Sequence, residues 1–295
     1  MKFKFVKTLL VLSAAILASC DKGKTSYFVD MPSPDINSSE PQASNNVSSA
    51  LPPSYENNSL NKDDFNGYYS NTNLNATGTT LLSELRSLNS SKRKFTPGYK
   101  NLGSYYHRTD GDPNNPNNII AFYSGTSVSF NGSFGGNVNR EHVWPNSRGG
   151  SSVEGDLHMT RPTITSENGS RGNSFYVEGK KSSSSGWDPA MESFGKEEYR
   201  GISARIIFYC VIASSNLKLV DVENDSTGNK SMGKLSDLLK WNLQYDIDET
   251  EIRRNEAVLD IQGNRNPFID DRSLACRVWG DTNATTKSIC QSAGY

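Results

Sequence analysis

The sequence predicts one folded domain of mixed α and β structure, an α+β fold, carried behind an exported N-terminus. Three observations predict it. Apolar residues recur at helical spacing through the C-terminal half, an aromatic and branched run from Asn118 to Gly125 has strand character, and neither a repeat nor a composition break divides the chain after residue 79. With 295 residues the chain can bury a proper core. Only 34% of the residues are hydrophobic, and Asn, Ser and Gly are abundant, which fits a loop-rich exported protein. A net charge of -1 excludes a global pull toward polyanions, so any nucleic acid must be held by local clusters.

The N-terminus reads as an address. Lys2, Lys4 and Lys7 precede an apolar run, Thr8 to Ala18, that is too short to span a bilayer. The run ends in Leu17-Ala18-Ser19-Cys20, which looks like a bacterial lipobox. The expectation is a signal peptide over residues 1–20, lipid on Cys20, and firm attachment to the envelope membrane outside the cytoplasm. From Asp21 to Ala76 the composition turns to Ser, Asn, Pro and Asp without helical or strand period, so residues 21–76 are expected to be a disordered tether. Residues 77–295 then form the domain, with equal numbers of positive and negative charges.

Leu81, Leu82, Leu85 and Leu88 predict an amphipathic helix over Thr80 to Leu88. The oxygen-rich stretch Asp110 to Pro116 lacks the terminal bidentate Glu of a calcium loop and is read as a turn before the Asn118–Gly125 strand. Further on, Ile202, Ile206, Tyr209, Cys210 and Ala213 form one apolar helical face, and Leu235, Leu238 and Leu239 another. Asp248 with Glu251 is a capping-box-like start for a helix running to about Asp260 and stopped by Gln262-Gly263. Asn264 to Asp270 reads as a polar turn fixed by Pro267. Of the cysteines beyond Cys20, Cys276 and Cys290 are the expected disulfide, and Cys210 the expected inert core thiol. No zinc spacing or CxxC motif is present.

The chemistry concentrates in Asn139-Arg140-Glu141-His142-Val143-Trp144-Pro145-Asn146-Ser147, answered by Gly155-Asp156-Leu157-His158 and Glu167-Asn168-Gly169-Ser170-Arg171-Gly172-Asn173. Two of the three histidines fall here. His142 is a candidate general base, since a neutral imidazole accepts a proton near pH 7. Neighbouring side chains of a regular strand face opposite sides, so the chain is expected to kink at Glu141-His142 if both serve one site. Glu141 and Asn168 offer hard oxygens that suit magnesium, which keeps several waters and recruits substrate oxygens. Arg140, Arg148, Arg161 and Arg171 make the segment locally basic, and their forks match phosphate.

These motifs resemble the endonuclease I family of bacterial periplasmic and extracellular nucleases. The likeness continues through Gly201-Ile202-Ser203-Ala204-Arg205, Phe208-Tyr209, Trp241-Asn242, Arg253-Arg254-Asn255-Glu256 and Gln262 to Asp270, covering roughly residues 80 to 272. The resemblance implies a ββα-metal (His-Me finger) core and cleavage of DNA and RNA without sequence preference, leaving 5′ phosphates. It matches His142 to the general base and Glu141 and Asn168 to the ligands of Mg2+, or of another divalent ion such as Mn2+ or Ca2+. Glu154 and His158 fall at supporting positions, His158 being read as structural because Met159-Thr160 departs from the family's Asn-Leu. The short link Arg148 to Val153 resembles the secreted Bacillus-type branch and leaves open which arginine grips the scissile phosphate, Arg140 and Arg171 being the candidates. A monomer is expected. The competing reading is a non-catalytic surface lipoprotein that binds polyanions or partners on the same fold.

Overall fold

The computed structural model describes residues 60–182, 186–223, 225 and 230–295. The described residues all fall in one compact unit. The expected signal peptide, the Cys20 lipid site and residues 21–59 of the expected tether lie outside the described residues. The rest of that tether is corrected by the structure. Leu60, Tyr68, Tyr69 and Leu74 are buried against the main core, and the Tyr69 hydroxyl donates to Asp270 Oδ2 at 2.5 Å. Two tyrosines and two leucines suffice to seat a segment whose average composition is polar.

Helix α1 (Gly78–Lys92) buries Leu81, Leu85 and Leu88 along one side, as the spacing predicts, and runs beyond both expected ends. A short turn of helix, α2 (Tyr106–Thr109), leads into a three-stranded antiparallel sheet of β1 (Gly111–Asp112), β2 (Asn115–Ile120) and β3 (Ser127–Ser129). The oxygen-rich stretch is a hairpin turn, with Asp112 accepting the Asn114 amide at 2.8 Å. The strand expected over Asn118–Gly125 is displaced. Its second half leaves the sheet in a tight turn closed by Gly125 N donating to Ala121 O, which drops Phe122 and Tyr123 into the main core. Burying two aromatic rings outweighs extending a short ladder by a few hydrogen bonds.

β4 (Val138–His142) and β5 (Thr160–Ile164) form a separate antiparallel ribbon, in register from Val138↔Ile164 to His142↔Thr160. α3 (Thr165–Arg171) follows immediately and packs against β4 and β5, completing a ββα unit. The remainder is mainly helical. α4 (Tyr199–Ala213) is flanked by α1 and by two later helices, so it buries nearly every residue from Tyr199 to Ile212, where a single apolar face was expected. β6 (Lys218–Val220) pairs in parallel with β7 (Ser231–Lys234), which runs into α5 (Leu235–Gln244) with Leu235, Leu238 and Leu239 buried.

α6 (Glu249–Gln262) starts where Asp248 Oδ1 accepts the Glu251 amide at 2.7 Å and ends at Gly263, whose φ of +84° only glycine adopts freely. The reciprocal half of a capping box is absent because the Glu251 carboxylate pairs with buried Arg205 of α4. The segment from Asn264 is no surface turn. Asn264, Arg265, Asn266 and Asp270 are all buried, and Asn266 caps α7 (Pro267–Asp270) by accepting the Phe268 amide. Finally, α8 (Ser273–Trp279) and α9 (Ala284–Ser292) are joined by the expected Cys276–Cys290 disulfide, while Cys210 is buried and free. Among the described residues no helix is long and apolar enough to cross a membrane.

Candidate active site

The ββα unit brings Glu141, His142 and Asn168 to one cleft of about 200 Å³, lined also by Arg140, Asn146 and Asn173. The ribbon shows no kink at Glu141-His142. Cross-strand pairing continues through His142, and the chain bends only afterwards, at Val143-Trp144. Both side chains reach the cleft because His142 is the strand's last residue, so the cleft sits over the strand's end instead of on one face. Pro145 and a close turn hold that bend. Trp144 Nε1 donates to Arg148 O at 2.8 Å, and Gly150 lies so near the Trp144 carbonyl that a Cβ would meet it at 1.9 Å.

Glu141 is almost fully buried, at 1% exposure. Its Oε1 accepts the Tyr123 hydroxyl at 2.8 Å and lies 3.4 Å from Arg171 Nη1, while Oε2 has no hydrogen bond among the described residues. Burial raises the carboxyl pKa, with the Arg171 charge and the Tyr123 hydrogen bond opposing. Asn168 donates from Nδ2 to the Arg140 carbonyl at 3.3 Å, which fixes the amide and leaves Oδ1 unengaged among the described residues. His142 lies with its ring 4.8 Å from that of Tyr99, tilted by 31°. Its Nε2 is buried without a hydrogen-bond partner, 3.7 Å from Glu154 Oε2. Burial lowers the imidazole pKa against the pull of Glu154, so the ring is neutral at pH 7.

This donor set fits a small hard cation. Among the described residues no cluster of three or more His, Cys, Asp and Glu side chains could hold one, so an ion here would rest on Glu141 and Asn168 and complete its shell with water and substrate. Glu154 Oε2 lies 3.7 Å from His142 Nε2 and accepts from Asn146 Nδ2 at 2.9 Å. Arg140 is clamped between the rings of Tyr99 and Phe134, 4.0 and 4.3 Å from their centroids, at the edge of the cleft with its Nε unpartnered.

Arg171 and His158 are both buried. Arg171, a candidate phosphate grip, lines the cleft with its Nε unpartnered, but it is 1% exposed and its Nη atoms donate to the carbonyls of His142, Val143 and Gly172 while facing Glu141 and the Tyr176 ring. It pins the strand's end to α3. His158 does not reach the cleft; it is buried with its ring against Tyr209 and Nε2 against Asn264 O, so it supports the fold and not the site. Asn146 lies within the stretch that the sequence singles out, whereas Tyr99 and Tyr123, which the structure adds to the site, carry no sequence signal. Tyr99 and Tyr123 lie 43 and 18 residues before His142 and Glu141, and tyrosines at such separations are ordinarily core.

The sequence profile of the family Endonuclease I matches residues 77–273. The chain is 38% identical over 223 residues to an extracellular ribonuclease of Bacillus amyloliquefaciens, covering 68% of this chain and 74% of the relative. It is 34% identical over 224 residues to the extracellular ribonuclease of Bacillus subtilis strain 168, covering 69% and 75%. An endonuclease-1 of Buchnera aphidicola matches at 30% over 126 residues, 40% of this chain and 46% of that one. The non-catalytic alternative falls with these matches. A ββα unit carrying a neutral imidazole beside two hard oxygens, in a chain so matched, belongs to the endonuclease I family, and the protein is an endonuclease that acts on nucleic acid.

Proposed function

We propose that the protein hydrolyses phosphodiester bonds of both RNA and DNA without sequence preference, with His142 as general base and Glu141 and Asn168 as the protein ligands of a divalent cation, Mg2+ by its preference for hard oxygens. The observation that carries this reading is that Glu141, Asn168 and His142 line one cleft, with Glu141 Oε2 and Asn168 Oδ1 free of hydrogen bonds among the described residues. His142 Nε2 is buried toward Glu154, so Nδ1 takes the proton from water as the water oxygen attacks phosphorus. The P–O3′ bond then breaks and a 5′ phosphate remains. A bound divalent cation supplies Lewis-acid stabilisation of the charge that builds on the leaving oxygen. Arg140, held flat between two rings, is the arginine placed to meet a phosphate once Arg171 is committed to the strand's end.

Lack of sequence preference follows from contacts made to phosphate, since these carry no base information, and α3 is committed by its packing to the ribbon. Export with lipid on Cys20 and action as a monomer at the cell envelope complete the proposal; the two Bacillus relatives named above are extracellular ribonucleases. The test is incubation of the purified protein with supercoiled plasmid and with RNA, with and without EDTA, beside His142→Ala. Wild type should cut both and stop in EDTA, and His142→Ala should lose roughly 10²- to 10⁴-fold in rate with its thermal melt unchanged. EDTA-insensitive cleavage would remove the cation, and near-normal turnover by His142→Ala would remove the base.

A further inference from the structure

Tyr123 lies in the turn that leads from β2 into the main core. It has a φ of +79°, a left-handed backbone that aromatic residues rarely adopt. The turn from Ala121 to Gly125 has a glycine of its own at φ +64°, so a tyrosine in a second left-handed position needs a separate reason. The ring is held there by burial: Phe122 and Trp187 lie 4.4 and 4.7 Å away between centroids, and the side chain has no solvent exposure. The effect of this placement is to aim one hydroxyl at Glu141.

The direction of the hydrogen bonds follows from donor counting. A tyrosine hydroxyl has one proton, and an ionised carboxylate only accepts. Tyr123 therefore donates to Glu141 Oε1 at 2.8 Å, and the Tyr176 hydroxyl, 2.7 Å behind it, donates to the Tyr123 oxygen. Arg171 Nη1 approaches the same Oε1 at 3.4 Å. Two groups from different elements thus hold one carboxylate oxygen, and the other is left for the cleft.

We propose that Tyr123, backed by Tyr176, is a positioning residue that locks the Glu141 carboxylate so that Oε2 alone is presented to a divalent cation. This rests on the reading of Glu141 as a cation ligand. Groups that orient a ligand from behind ordinarily change metal affinity by about 10- to 100-fold when removed. The ring of Tyr123→Phe keeps the packing and loses only the hydroxyl, so the variant separates orientation from burial.

The experiment is calorimetric titration of Mn2+ into the purified protein without substrate, for wild type, Tyr123→Phe, Glu141→Gln and Tyr69→Phe. Tyr69 also donates its hydroxyl to a buried carboxylate, that of Asp270, away from the cleft, and so reports what loss of such a bond does by loosening alone. Tyr123→Phe should weaken Mn2+ binding by about tenfold or more, Glu141→Gln should weaken it further, and Tyr69→Phe should leave it unchanged. Wild-type affinity in Tyr123→Phe, with binding lost in Glu141→Gln, would overturn the positioning role and leave the cation ligand standing. Equal weakening in Tyr69→Phe would also overturn it, as a general loosening. Wild-type affinity in Glu141→Gln would bring down both this inference and the reading it rests on.

Discussion

At Asp110 one buried carboxylate holds two guanidinium groups, from β5 and from α6. Oδ1 is 3.0 Å from Arg161 Nε and 3.0 Å from Arg254 Nε, and Oδ2 accepts from Thr109 Oγ1 at 2.6 Å. Burial alone would raise the pKa of this carboxyl, but the two arginines outweigh it and hold it low. Replacing Asp110 with Ala leaves two guanidinium groups buried without their counter-charge, so the variant should lose about 3–5 kcal/mol, read as a lowered urea midpoint. The sequence shows Asp110 only as one oxygen among several in a turn. Its partners lie 51 and 144 residues away, and no local pattern reports them. Arg171 shows the same limit: its spacing from Asn168 is visible, but its burial under the strand's end is not.

At the scale of elements, the connection from β4 to β5 delivers His158 into the polar seam below α4 and α6. Its imidazole is pushed from the ordinary 6.5 down to about 4, mainly by burial, with Asp156 opposing. The unfolded chain therefore takes up this proton first as pH falls. Stability from the neutral ring is complete above pH 6.5 and is lost progressively toward pH 4, by about 3 kcal/mol in total. Denaturant melts from pH 7 to 4.5 should show this slope in the wild type, and His158→Gln should flatten it while lowering stability at pH 7. A parallel pH dependence in both proteins would assign the acid sensitivity elsewhere. Among the elements themselves, α6 was readable because its cap and its glycine stop act within one turn. β2 was misplaced because the pull on Phe122 and Tyr123 comes from Trp187 and Tyr199, far along the chain.

For the whole molecule, the C-terminal end is fastened by Cys276–Cys290, with a sequence separation of 14 residues. Closing a loop of that size limits the unfolded chain by about 3 kcal/mol in the chain-entropy view. Reduction, or the paired change Cys276→Ser with Cys290→Ser, should lower the melting temperature by roughly 6–12 °C for a domain of this size. A wild-type melt that does not respond to reductant would contradict the role given to the bridge. The opposite end is fastened differently, by Tyr69 on Asp270 and Leu60 N on Asp271, so residues 60–76 belong to the folded unit by contact and to the tether only by composition.

The sequence by itself determined the family, through a Glu-His pair and a later Asn in its pattern, and with it the periodic helices α1 and α5, the cap and stop of α6, and the cysteine pairing. Each of these is carried by residue type or by neighbours a few positions apart, where chain geometry is nearly fixed. Only the tertiary structure decided that α4 is buried all round, that Asn264 to Asp270 is interior, that Arg171 serves the strand, and that Tyr123 accepts a strained backbone to reach Glu141. The reason is that a buried polar group must find its partner wherever the closed chain puts one, and that partner's distance in sequence is set by the fold.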